Sequence, residues 1–380
     1  MPDPIQQVAT NPLLGVTIFM LGGLAGAVFP LPFNKVRQWA WESYWLVYAI
    51  VGLVVVPWVL ALATSSNVVS VLRQAPGNEL GFCVVCGAMW GVGGLTWGLM
   101  IRYLGVGLGL AIGCGLCSAA GTLIPPILKG DINNLYGTAA ANASLAGVAV
   151  SLVGIILVGM AGMSKERELP EEEKKKAVAE YDFKKGLLVA IFSGLMSSGM
   201  SFGLQGGPTI ESLAQSVQPA TSLTWKGMPV LVVVLLGGFV VNFVWCLCLN
   251  AKNKTFGDYR KAGAPLAGNI VFAGLAGAIW CSQFICFKTG GTAMGDDMAY
   301  LGWAVQMASA ILFSGALGLL LGEWKGTSGR TRGLLAVGLL LLLVSSAVVG
   351  YSGYLKEQAK AKQSTAQSAP AAVSVWEHSL

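Results

Sequence analysis

The sequence has 380 residues, of which 54% are hydrophobic, 11% are charged and 51 are glycine. Soluble domains carry about 25% charged residues, so 24 basic and 18 acidic side chains cannot clothe a soluble globule of this size. The apolar content excludes intrinsic disorder, the eight scattered cysteines exclude a disulfide scaffold, and the solvent implied is lipid.

A helix crossing about 30 Å of hydrocarbon needs roughly 20 mostly apolar residues. Ten stretches qualify. The first five run about 12–33, 44–64, 80–101, 104–128 and 142–163, the second five about 186–207, 228–250, 265–287, 298–322 and 332–354. Backbone polar groups cannot stay unpaired in hydrocarbon, so spans of this length must be helices; the alternation of a transmembrane barrel is absent. The predicted fold class is an all-α integral membrane protein with ten transmembrane helices. No Lys or Arg precedes the first span and no small-residue cleavage site follows a short apolar core, so it reads as a retained helix.

Residues 1–163 form a first block of five helices and 186–354 a second. Between them, 164–185 is a charged linker with seven basic and seven acidic residues, read as a solvated, partly helical connection. The Ala-, Gln-, Ser- and Pro-rich tail 355–380 reads as disordered, and it holds the one histidine, His378. Loops after odd-numbered spans carry 17 Lys and Arg, those on the other side seven. The excess places the first set in the cytoplasm and both termini outside. The net charge of +6 is read as basic loops against anionic lipid, not as nucleic-acid binding.

The halves echo each other. Gly87-Ala88-Met89-Trp90 in the third span recurs as Gly277-Ala278-Ile279-Trp280 in the eighth, and Leu128-Lys129-Gly130 resembles Trp324-Lys325-Gly326. Because five is odd, the second block enters the bilayer from the opposite face. Two inverted five-helix repeats result, the arrangement by which many secondary transporters rock about a central site. Glycines four apart (Gly22 and Gly26, Gly87 and Gly91, Gly94 and Gly98, Gly109 and Gly113) let helices approach closely. Pro125-Pro126 is expected to break the fourth helix near its end.

Cys83-Val-Val-Cys86 and Cys114-Gly-Leu-Cys117 have zinc-site spacing, but both pairs lie inside apolar spans where cysteine behaves as a small hydrophobe. No metal or other cofactor is expected, no phosphate-binding loop for ATP is present, and no Ser/His/Asp triad can form, so the chain is not read as an enzyme. The candidate ligands are neutral amides and indoles: Asn34, Thr96, Gln205, Asn242, Gln283 and Gln306, with Trp90, Trp97, Trp280 and Trp303 nearby. Intramembrane polar groups mark functional sites by default, and amides beside indole faces suit an uncharged polyhydroxylated ligand. Interhelical glue is the competing reading of the amides, and an interfacial belt that of the tryptophans.

Proton coupling needs a carboxyl group whose proton affinity is raised by desolvation. No acid sits mid-span, and the nearest are Glu42, Asp296, Asp297 and Glu323, with Asp297 ranked first. Arg102 and Lys288 are open to two readings, counter-charge or snorkelling anchor.

Phe29-Pro-Leu-Pro-Phe33-Asn-Lys35-Val-Arg37-Gln-Trp39-Ala-Trp41-Glu42 resembles a signature of the L-rhamnose–proton symporter family. So do Gly98-Leu-Met-Ile-Arg102-Tyr103-Leu104-Gly105, Gly121-Thr122-Leu-Ile-Pro125-Pro126-Ile127, Ser198-Gly199-Met200-Ser201-Phe202 and Glu323-Trp324. The resemblance implies a ten-helix member of the drug/metabolite transporter superfamily. Such a protein imports a deoxyhexose with protons across a bacterial inner membrane. Gly93-Gly94 stands where that pattern has glycine then asparagine, and Gln306 where it has histidine, which leaves the sugar open between L-rhamnose and a relative. The rival readings are another metabolite or drug transporter of the superfamily and a non-transporting sugar sensor. The expected partners are a small sugar, a proton and the bilayer.

Overall fold

The computed structural model describes residues 11–65, 67–128, 130, 136–168, 182–261, 263–295, 298–322 and 324–368. Among them the chain is helical throughout, without strands. The helices are α1 (Pro12–Val28), α2 (Trp41–Thr64), α3 (Val68–Gln74), α4 (Gly77–Leu128), α5 (Ala139–Glu168), α6 (Phe183–Ser197), α7 (Gly199–Gln205), α8 (Pro208–Ser216), α9 (Met228–Asn253), α10 (Leu266–Met294), α11 (Gly302–Leu320) and α12 (Gly329–Ser368). Nine stretches of the described residues are long and apolar enough to cross a membrane, and a shorter apolar helix covers Ile112–Leu128.

Helix starts follow from local chemistry. Asn11 accepts from the Leu14 N–H at 3.0 Å and caps α1, and Asp182 accepts from the Lys185 N–H at 3.1 Å and caps α6, each pairing a donor that the helix itself leaves free. Outward faces carry bare apolar side chains such as Leu188, Val271 and Leu340, acceptable where the surrounding medium is hydrocarbon.

The 52 residues of α4 do not form one rod. At 1.5 Å per residue a straight helix separates positions 100 and 113 by about 20 Å, yet a Cβ on Gly113 would lie 2.9 Å from Met100 Sδ and 3.4 Å from the Trp97 ring. The chain therefore folds back, with Gly77–Leu104 as one arm and Ile112–Leu128 as the other. Pro125 and Pro126 do not break the second arm as expected. They sit in its last turn, and the helix runs to Leu128. Pro125 has no N–H to give the Gly121 carbonyl, and Ser201 Oγ fills that role at 2.6 Å.

Helix α1 packs between α10 and α11, while α6 and α7 pack against α4. Helix α9 lies against α4 and α2, and α2 also meets α10. Helices α5 and α12 run side by side: Ser144 Oγ donates to Ser352 Oγ at 3.0 Å at one end, and Ser164 and Thr331 hydroxyls meet at 2.6 Å at the other. The start of α1 meets the late part of α12, a Cβ on Gly353 lying 2.6 Å from Pro12 Cβ. This is called the terminal end. The opposite, linker end gathers residues 31–42, 250–269, 164–168 and 182–186.

A further sequence expectation changes here. Residues 355–368 of the tail are helical and extend α12, as its Ala-, Lys- and Gln-rich composition favours. Helix α2 contains a π-helical turn at Val51–Val55, just before Pro57, where Gly52 meets Gly277 backbone to backbone. Single π turns accompany such insertions into a helix.

Candidate transport site

The third and eighth spans each bring a GAxW sequence to the middle of the bundle. A Cβ on Gly87 would stand 1.9 Å from Val234 O of α9, and one on Gly277 would stand 2.5 Å from Tyr48 O of α2. Only glycine allows these backbones to touch. Three residues on from each glycine, Trp90 and Trp280 face each other with ring centroids 4.9 Å apart and planes at 32°. Tyr48, 1% exposed, sets its edge on Trp280, and the rings continue through Trp45 to Trp41, stacked at 4.9 Å. Phe33 meets Tyr44, Trp45 and Tyr48 from the side. A wall of aromatic surface thus leads from the linker end to the centre.

Amides border this wall. Asn242 Oδ1 accepts from Trp45 Nε1–H at 3.0 Å while its Nδ2 donates to Gly238 O at 2.9 Å, and a Cβ on Gly238 would touch the Trp90 ring. Gln283 Nε2 donates to Trp280 O at 3.0 Å, and its Oε1 lies 3.0 Å from where a Cβ on Gly26 would be. Gln306 is fully buried, and neither atom of its amide has a hydrogen-bond partner. Its Oε1 lies 3.1 Å from a Cβ position on Gly22. Burying an amide without partners costs about 1–3 kcal/mol. Ser309, one turn further along α11 and beside Gly23, is likewise buried with a lone hydroxyl.

The remaining expected residues separate into three places. Thr96 Oγ1 accepts from Ser193 Oγ at 2.6 Å and Trp97 Nε1 donates to Ser197 Oγ at 2.8 Å, both joining α4 to α6. Trp303 Nε1 donates to Cys117 O at 3.1 Å, joining α11 to the second arm of α4. Gln205 hydrogen-bonds Ser201 Oγ at 2.7 Å and lines a cleft of about 210 Å³ near the terminal end with Glu79, Phe82, Pro125 and Phe202. Asn34 is exposed on the turn Leu31–Lys35 at the linker end, away from this cluster.

Glu42 is buried at the linker end, where its Oε1 accepts from Asn253 Nδ2 at 2.9 Å and Thr255 Oγ1 at 2.8 Å. Asp258 accepts from Ala40 N–H at 2.7 Å and Ser43 Oγ at 2.8 Å. Burial pushes the Tyr259 phenol up to about 12, so it stays protonated and donates to Ser43 O at 3.1 Å. This carboxylate network ties the start of α2 to the 255–260 turn. Asp296, Asp297 and Glu323 lie outside the described residues.

Sequence reasoning missed Tyr48 and Trp45, which supply the middle of the aromatic wall. It also missed a charge cluster near the terminal end. Lys288 of α10 donates to Leu204 O at 2.8 Å and pairs with Glu211 of α8, whose other oxygen lies 3.8 Å from Lys226 Nζ. Lys288 is therefore a counter-charge, not a snorkelling anchor. An amphipathic run after Pro208, too short to span, was the signal for α8.

The profile of a family described as L-rhamnose-proton symport protein (RhaT) matches residues 8–354. An L-rhamnose-proton symporter of Cronobacter sakazakii is 32% identical over 340 residues, covering 89% of this chain and 96% of the relative. L-rhamnose-proton symporters of Yersinia pestis and Yersinia pseudotuberculosis are each 30% identical over 341 residues, covering 89% of this chain and 97% of theirs.

Proposed function

The chain belongs to the L-rhamnose-proton symport protein family, and from that premise we propose that it imports L-rhamnose or a closely related deoxyhexose with protons across a bacterial inner membrane. It is a transporter and not an enzyme. The observation that carries the reading is this family match along nearly all of the helical region.

We further propose ten crossings arranged as two inverted repeats, 1–163 and 186–354, working by alternating access with both termini outside. Three observations support it. Pro12 at the start of the first span meets Gly353 near the end of the last, which fits an even number of crossings with Ile112–Leu128 beside the nine longer spans. The pattern of neighbours exchanges between halves: α1 packs on α10 and α11, as α6 packs on the two arms of α4. Residues 190 positions apart behave alike, since Gly87 touches α9 as Gly277 touches α2. Trp90 and Trp280 share that register and touch each other, and equivalent residues in contact must lie near the axis relating the halves. A transporter with this symmetry binds its substrate near that axis.

The sugar site we propose is built on Trp90 and Trp280 as stacking faces, with Gln283 and Gln306 for hydroxyls. Asn242, Thr96, Trp97, Trp303 and Gln205 shape its surroundings, and Asn34 lies at its linker-end approach. Asp297, with Asp296 as second choice, is the proposed coupling carboxylate. Uptake of labelled L-rhamnose by cells making the protein, abolished when the proton gradient is collapsed, is the expected result; gradient-independent uptake or none would refute the reading. Asp297→Asn should end proton-driven accumulation while sugar exchange continues, and unchanged accumulation would remove Asp297 from the mechanism.

A further inference from the structure

The terminal end carries a group of charges that the sugar site does not use. Glu211 of α8 pairs with Lys288 of α10 and lies 3.8 Å from Lys226, which precedes α9. Lys288 also donates to Leu204 O of α7 at 2.8 Å. Glu79, at the start of α4, accepts from the N–H groups of Thr209 and Ile210 and so holds the first turn of α8 in place. Cys83 lies one turn deeper on α4, fully buried, its thiol donating to Gly203 O at 3.5 Å. Among the described residues, the charged and titratable groups gathered there include Glu79, Cys83, Cys86, Lys226, Lys288 and Glu211 itself.

These contacts join two packing units. Lys288 belongs to the helix that packs on α1, whereas Leu204 belongs to α7, which packs on α4, and Glu211 follows α7. Both partners of the Lys288–Glu211 pair are largely shielded from water, with side chains 10% and 19% exposed. Separating such a pair leaves charges without a partner where water is scarce, a far larger penalty than at an open surface. The register between the halves makes the contact one-sided. The counterpart of Lys288, 190 positions earlier, is Gly98, which has no heavy atom within 4 Å of a Cβ position. Among the described residues, the terminal end thus carries a tie at a place whose counterpart, Gly98, has open space beside it.

We propose that Lys288 and Glu211, with the Leu204 carbonyl, form a gate that closes the terminal-end mouth. Lys288 and Glu211 act as positioning residues, since they control access without touching the sugar. The proposal rests on the transport reading above, because a gate has meaning only in a protein that opens alternately.

Cys83 is a native reporter beneath this gate. Purified full-length protein in detergent is treated with a charged maleimide, and modification of each cysteine peptide is followed by mass spectrometry. Glu211→Gln and Lys288→Gln should each label Cys83 at least about ten-fold faster than the parent, the factor that a loss of about 1.4 kcal/mol of closing energy gives. Cys246, buried elsewhere on α9, should keep its parental rate. Unchanged Cys83 rates in both variants would overturn the gate, as would a matching rise at Cys246, which signals general unfolding. L-rhamnose uptake by the unmodified protein is scored separately, so failure of the transport reading and failure of the gate are distinguishable.

Discussion

Replacing Gly277 by alanine adds one methyl group at the tightest place between α2 and α10. That carbon would lie 2.5 Å from Tyr48 O and 2.9 Å from Gly52 N, both backbone atoms that no side-chain rotation can move. Ordinary contact begins near 3.4 Å, so the helices must part by roughly an ångström, and overpacking of this kind costs about 1–3 kcal/mol. Alanine recovers up to about 1 kcal/mol through its helix propensity. A net loss of about 1–2 kcal/mol is expected. Gly98→Ala is the internal comparison: nothing lies within 4 Å of its Cβ position, so only the propensity gain of about 1 kcal/mol remains. Thermal unfolding of the two purified variants in detergent should therefore move in opposite directions from the parent. Gly277→Ala should also lower L-rhamnose uptake, because the Trp280 ring stands one turn away. If Gly277→Ala melts at or above Gly98→Ala, the close approach of the helices, and the symmetry built on it, is refuted.

Trp90→Leu and Trp280→Leu should each weaken L-rhamnose binding roughly three- to ten-fold, taking about 0.5–1.5 kcal/mol for a lost stacking face. Equilibrium binding in detergent checks this, and unaltered affinity in both would move the sugar away from the central pair. Gln306→Leu should raise the melting temperature, since it removes a buried amide whose lack of partners costs about 1–3 kcal/mol. Sugar binding should weaken in the same variant, and a drop in stability would show that the amide is satisfied in the empty protein. Glu42→Gln keeps an acceptor for Asn253 and Thr255 and should preserve proton-driven accumulation with a stability loss of about 1 kcal/mol. Loss of accumulation would return Glu42 to the coupling candidates.

The membrane class, the positions of the spans and the family were legible in the sequence because they depend on quantities that are local. Hydropathy over about 20 residues decides whether a segment can lie in lipid, and Lys35, Arg37, Lys252 and Lys261 lie at the span ends now gathered at the linker end. The GAxW echo was also legible, since a glycine and an indole three positions on survive as letters. What the letters could not carry is which helix each face meets. Trp90 and Trp280 are 190 residues apart, and only the tertiary fold brings their rings together as one surface. Asn242 and Gln306 look alike as intramembrane amides, yet the first is bonded at both ends and the second at neither. Lys288 had two open roles until α8 brought Glu211 to it. Membrane insertion is a property of a segment and its solvent, whereas partnership belongs to pairs brought together by the fold.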